Sequence, residues 1–237
     1  LTVSSATFNG ETLSSLTDNS DGTYTGVYTV VEGNTDVADG GNAVVSLAFT
    51  DAAGNVSATT TSVTLSSESI DATKPTISGV SITDSAMNIG DVVTATITVG
   101  NAAGQVLTLS SGTIGGFTLG SLSRVSDTSY TATFTVTDGG TDVASGADIP
   151  VSLVLADPAG NTSATYSTAI SQSSDSIDAN APTITGVTVA DGTYKIGDTA
   201  TVTITAGNSE TGLTVSSATF NGETLSSLTD NSDGTYT

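Results

Sequence analysis

Apolar and polar residues alternate in short runs along this chain, and a period of two puts every second side chain on one face of a β-strand. Over the central stretch the pattern predicts strands at Thr76–Ile82, Val92–Val99, Val106–Leu109, Phe117–Leu122, Tyr130–Val136, Pro150–Ala156 and Ser163–Ile170. Segments rich in Gly, Asn, Asp and Ser separate them, among them GNAAG, SDTS, TDGGTDVASGAD and DPAGN. Such residues break strands because they tolerate left-handed backbone or bond to their own main chain. DNSDGTY (Asp18–Tyr24) reads as a plain hairpin turn without the spacing of an EF-hand loop, and GGFTLG also reads as a turn. About seven short strands in about 100 residues predict an all-β fold built on an immunoglobulin-like β-sandwich. The buried Cys pair and Trp of antibody domains are absent, so an aliphatic core has to serve.

The pattern repeats. Leu1–Thr25 and Leu213–Thr237 are identical over all 25 residues, a period of 212. A weaker echo joins SIDATKPTISGV (Ser69–Val80) to SIDANAPTITGV (Ser176–Val187), 107 residues on, and Gly33–Thr60 to Gly139–Tyr166, 106 residues on. Two related modules of about 106 residues therefore alternate. Residues 69–175 make one complete module, A. Residues 1–68 form the C-terminal part of module B, and 176–237 the N-terminal part of the next B. The expectation is a window on a longer tandem array whose true N-terminus lies elsewhere. Each partial B lacks strands that cover an apolar face, so a neighbouring repeat or another chain is expected to complete it.

Composition narrows the chemistry. Among 237 residues there are 3 Lys+Arg and 24 Asp+Glu, a net charge of −21. Nucleic acid and anionic membrane surfaces call for basic surface and are poor partners; cations are the natural counter-ligands. The apolar fraction of 36%, mostly Val, Ile, Ala and Leu beside much Thr and Ser, is strand composition and not disorder. No run of 18 apolar residues is present, so no membrane insertion is expected. There is no Cys, His or Trp.

The signature D-A-x-x-P-T-I-x-G-V, then I-G-D before an alternating strand, then Y-T-x-x-[FY]-T-V and D-x-A-G-N, resembles the bacterial Ig-like tandem repeats of large surface adhesins. Among these are the extender regions of RTX-type adhesins exported by type I secretion. The resemblance covers the whole chain. It implies an extracellular, cell-surface location, a role in holding an adhesive tip away from the cell, and calcium at or near the junctions between domains.

Strand direction in a sandwich gives candidate ligands. DPAGN and the linker SIDATKP fall at the N-terminal pole, so Asp71, Asp157 and Asn161 converge in module A. The counterparts in module B are Asp178, Asp51 and Asn55. The loops ending in IGD and containing TDGGTDVASGAD fall at the opposite pole, with Asp84, Asp91, Asp138 and Asp142. The A–B junction then gathers Asp91, Asp142, Asp175, Asp178 and Asp51; the B–A junction gathers Asp36, Glu68, Asp71 and Asp157, with Asp198 from the split copy. Two unit charges about 4 Å apart repel by about 1 kcal/mol in water and about 4 kcal/mol at an effective dielectric of 20. A hard divalent cation reverses that sign. With oxygen donors only, calcium is favoured over zinc, copper or iron. The competing reading is that each Asp or Asn caps its own turn, and that the acidity keeps a long chain soluble.

Enzyme chemistry lacks its parts. Without His or Cys there is no Ser-His-Asp or Cys-His arrangement, no phosphate-cradling G-x-x-x-x-G-K-[ST] loop occurs, and eleven aromatics with no Trp hold sugar poorly. No enzyme is expected. Three functions remain open: a spacer stiffened by calcium between modules, an adhesive or carbohydrate-binding module, and a subunit of an extracellular fibre or surface layer completed between chains.

Overall fold

Strands make up the regular structure in the computed structural model of the chain, which describes every residue except positions 103, 174, 175, 210, 216, 226 and 227. A three-residue 3-10 turn at Gly207–Ser209 is the one helical element among the described residues. The chain divides into two compact units, Leu1–Val136 with Asp142–Asp178, and Thr137–Thr141 with Ala179–Thr237.

The first unit opens with β1 (Thr2–Phe8), β2 (Glu11–Thr12), β3 (Ser14–Asp18), β4 (Tyr24–Val27), β5 (Asn42–Thr50) and β6 (Thr60–Thr64). They form one sheet in the order β2-β1-β5-β6 and a separate hairpin, β3-β4. The hairpin confirms the turn read at Asp18–Tyr24, and the Tyr24 ring lies 4.9 Å from that of Phe49 on β5. Val37, Ala43, Ile70 and Ala72 make a small core there, with Phe8, Tyr28 and Leu65 packed against it.

The unit continues with β7 (Thr76–Ile82), β8 (Met87–Asn88), β9 (Val92–Gly100), β10 (Thr108–Ile114), β11 (Phe117–Thr118), β12 (Ser123–Ser126), β13 (Ser129–Thr135), β14 (Val151–Ala156) and β15 (Ile177–Asp178). A four-stranded sheet runs β12-β13-β9-β7 and a three-stranded one β11-β10-β14. Alternation decides which residues meet in the core: Ala95, Ile97 and Val99 on β9, Tyr130, Ala132 and Phe134 on β13, Leu153 and Leu155 on β14. The Phe117 and Phe134 rings stack with centroids 5.8 Å apart. Each such large side chain contributes about 1.5–3 kcal/mol when fully buried.

Three strand boundaries differ from the sequence reading. The strand expected at Val106–Leu109 runs over Thr108–Ile114, through Gly112. A Cβ there would stand 3.0 Å from side-chain carbons of Leu109, Leu119 and Leu153, so this glycine marks close packing and not a break. Phe117–Leu122 shrinks to the two residues of β11, and β12 forms where no strand was expected. Ser163–Ile170 makes no continuous ladder. It touches its neighbour through single bridges at Thr162, Tyr166 and Ile170, and the Ser163 hydroxyl takes the ladder donor Leu155 N–H at 3.0 Å.

The second unit holds β16 (Ile184–Val189), β17 (Val202–Ala206), β18 (Thr219–Phe220), β19 (Glu223–Thr224) and β20 (Thr235–Tyr236). Its main sheet runs β16-β17-β20, beside the small hairpin β18-β19. Register follows the repeat: Ile184↔Ala206 and Val187↔Ile204 match Ile77↔Val99 and Val80↔Ile97, with the same one-residue irregularity between Ile and Gly.

Candidate functional site

The DPAGN loop builds one side of the best-defined polar cluster. Asp157 N–H donates to Asn161 O at 3.0 Å and Gly160 N–H to Asp157 O at 3.1 Å. Gly160 sits at φ +96°, a backbone that side-chain-bearing residues rarely adopt. Asn161 N–H caps Asp157 Oδ1 at 2.8 Å. The chain thus wraps around the Asp157 carboxylate, which is 4% exposed.

Asn161 then reaches out of its own loop. Its Nδ2 donates to Asp157 Oδ2 (3.0 Å), to the Asp71 carbonyl (3.1 Å) and to Asp71 Oδ1 (3.3 Å). The other Asp71 oxygen, Oδ2, accepts from Gln105 Nε2 at 2.7 Å. Tyr130 holds Gln105 in place, since its O–H donates to Gln105 O at 2.9 Å. Two carboxylates therefore face each other across N–H donors, which offset their repulsion. Asp71 belongs to the linker, so the cluster fastens the linker to the strands that follow it.

The segment before the linker grips it from the other side. Ala72 N–H donates to Asp36 Oδ1 (2.7 Å) and the Thr73 hydroxyl to Asp36 Oδ2 (2.9 Å). Lys74 N–H reaches Glu32 Oε1 at 3.3 Å. Backbone bonds between Val37 and Ile70, 2.8 Å in each direction, complete the hold. The exposed Lys74–Glu32 ion pair at 3.7 Å adds little, as surface pairs do. The next linker repeats the design: Val143 and Ile177 exchange backbone bonds at 2.9 Å in the first unit. In the second unit, Asp138 Oδ1 accepts from Ala181 N–H at 3.1 Å.

The other expected ligands occupy separate places. Asp51 closes DAAGN on itself, accepting from Asn55 N–H (2.8 Å), Asn55 Nδ2 (2.9 Å) and Ala53 N–H (2.9 Å). The Asn55 amide leads the causes that hold this carboxyl below its ordinary range. Asp91 and Asp198 cap the same turn in their two copies, accepting from Asn88 N–H (2.8 Å) and Lys195 N–H (3.0 Å). The Lys195 N–H, and then its ammonium, lowers Asp198. Asp84 accepts from the Ser173 hydroxyl. Glu68 bonds to Ser67, whose backbone N–H is the first cause of its lowered pKa. Asp142 precedes the Val143–Ile177 bridge, and Asp178 lies on β15 beside Asn88 of β8. Asp175 lies outside the described residues. Of all these groups, the structure brings Asp71, Asp157 and Asn161 to one point. Among the described residues no set of three or more His, Cys, Asp or Glu side chains stands at metal-binding spacing.

Sequence reasoning missed Gln105 and Glu32. Gln105 follows a Gly- and Asn-rich turn and belongs to no motif. Glu32 had a signal in the repeat, where it occupies the position of Asp138. Compared with known proteins, the chain matches no protein-family model and no curated protein. Among the described residues no helix is long and apolar enough to cross a membrane.

Proposed function

We propose that this chain is a stretch of a bacterial cell-surface spacer, in which immunoglobulin-like sandwiches follow one another and the linker at Asp71–Lys74 is clamped on both sides to keep the array stiff. The observation that carries this reading is the double hold on Asp71–Lys74, by Asn161 and Gln105 from after the linker and by Asp36 and Glu32 from before it. A linker that left its backbone N–H groups to water would act as a hinge. Capped N–H groups and a fixed carboxylate remove that freedom.

Calcium belongs to the same proposal. Asp71 O, Asp71 Oδ1 and Asp157 Oδ2 all face Asn161 Nδ2. Turning that amide over would present its oxygen instead, giving an all-oxygen donor set suited to a hard cation, with water completing the shell. Asp71, Asp157 and Asn161 are the expected ligands that meet at one point, and the proposal rests on these three.

Calorimetric titration with calcium, beside thermal unfolding with calcium and with chelator, tests the metal. Binding lost in Asp71→Asn supports it; identical curves in both solutions reject it and leave the amide clamp alone. Small-angle scattering of the chain against Asp71→Ala/Asn161→Ala tests the spacer: an unchanged maximum dimension and flexibility in the double variant would overturn it.

A further inference from the structure

Where the chain leaves the complete module, its last strand is gripped on two sides. On one side β15 lies parallel to β8, with Ile177 opposite Met87 and Asp178 opposite Asn88, and Met87 N–H donates to Ser176 O at 2.9 Å. On the other side Ile177 and Val143 exchange backbone bonds, both at 2.9 Å. The Ile177 side chain lies in the core at 1% exposure. A Cβ on Gly115 would stand 2.9 Å from its Cδ1, so the glycine leaves the room that this isoleucine fills. The exchange recurs earlier in the chain, where Val37 and Ile70 are joined by two bonds of 2.8 Å.

The parallel pairing has a mechanical consequence. β8 follows the first strand of the module, β7, and β15 is its last. Tension along the chain pulls β8 back toward β7 and pulls β15 forward toward Ala179. In parallel strands these two pulls oppose each other along the strand axis, while the bonds that join the strands run across it. Such bonds are sheared and resist together. Strands whose adjacent ends are pulled apart give way one bond at a time. At the entry of the module β7 is held on β9 by a longer ladder, from Thr76↔Gly100 to Ile82↔Ala95. The two residues of β15 therefore set the limit.

The residues beyond Asp178 are held differently. In the second unit Gly139 N–H donates to Ala179 O at 2.9 Å, and Ala181 N–H to Asp138 Oδ1 at 3.1 Å. These are single bonds between antiparallel segments, which peel in turn from Ala181 under the same tension.

We propose that Ile177 is the tension latch of the module: under a pull along the chain its bonds to Val143, with that of Met87 to Ser176, are sheared as a set and hold the sandwich closed. The source of such tension rests on the spacer reading; the latch itself is a property of the module and requires no calcium.

Force spectroscopy of the whole chain tests it, with handles on engineered cysteines, since the chain has none of its own. Handles at Thr76→Cys and Ala181→Cys load the module along the chain. Handles at Thr137→Cys and Ala181→Cys pull the same bonds apart from one end. All three positions are exposed. The opening force is expected to be at least about twofold higher along the chain, because the bonds at Ile177 then give way together and not in turn. Met87→Pro, which removes the donor to Ser176 O, is expected to lower the force along the chain by roughly a third, one bond of the three. Leu155→Ala, at the other end of β14 where it pairs with Leu109, is expected to lower the urea midpoint and leave that force unchanged. Equal forces in the two directions overturn the proposal, and so does a Leu155→Ala chain that loses as much force as Met87→Pro. Unequal forces in a chain that scattering shows to be freely hinged would keep the latch and reject the spacer.

Discussion

Asn161 Nδ2 donates to Asp71 Oδ1 at 3.3 Å across 90 residues of sequence, and the same nitrogen holds Asp157 Oδ2 at 3.0 Å. In the counterpart loop, Asn55 Nδ2 meets Asp51 at 2.9 Å on an exposed surface. The five-residue motif closes its turn in the same way in both places, and Asn161 in addition holds the linker at Asp71.

Asn161→Ala leaves a buried carboxylate and the linker aspartate short of a donor. A loss of about 2 kcal/mol is expected, because an unpaired buried polar group bears its desolvation in full. Asn55→Ala, in an exposed loop, is expected to stay within about 0.5 kcal/mol. Urea midpoints of the two variants check the contrast, and equal losses would contradict it.

Gln172 is 7% exposed, and neither its Oε1 nor its Nε2 has a partner among the described residues. The repeat aligns it with Leu65, which packs against the small core of Val37, Ala43, Ile70 and Ala72. Gln172→Leu is expected to raise stability by about 1–2 kcal/mol, replacing a buried amide with an apolar side chain of similar size. The urea midpoint reads it, and a lower midpoint would show that the amide has a role.

Acid acts on the turn carboxylates. The Asn55 amide and backbone donors hold Asp51 below its ordinary value of 3.8. A depressed native value means that the unfolded chain binds protons first as pH falls. The stabilisation is then complete above pH 3.8 and disappears as pH drops through the native value. Asp51→Asn is expected to flatten that part of the stability–pH curve while leaving the curve above pH 5 parallel to the parent's, roughly one unit clear of the titration. Thermal midpoints across the acid range check it.

Legibility followed burial. The strands β7, β9, β13 and β14 were readable to within a residue or so, because one face of each is buried, or half-buried in β7, and the alternation follows. Gly112 misled because a glycine chosen for close packing looks like one chosen for a turn. Ser163–Ile170 misled because it meets β14 and its neighbours through single bridges and not a ladder, a difference the hydrophobic pattern does not carry. At the linker, the meeting of Asp71, Asp157 and Asn161 followed from strand direction, but Gln105 arrives from a distant turn that only the folded chain brings close. The acidic residues around them looked like one pool of ligands. Four of them, Asp51, Glu68, Asp91 and Asp198, accept from a backbone N–H within four residues, which a count of carboxylates does not reveal.

The clamp on the linker is tested most directly by distance measurements across it. The chain has no cysteine, so Val44→Cys on β5 and Val125→Cys on β12, both at exposed positions, accept spin labels cleanly. Pulsed electron resonance on the labelled chain is expected to give one narrow distance distribution, which broadens when Asp71→Ala and Asn161→Ala are added. A distribution that is already broad in the parent, or one whose width the two substitutions leave untouched, would contradict the account.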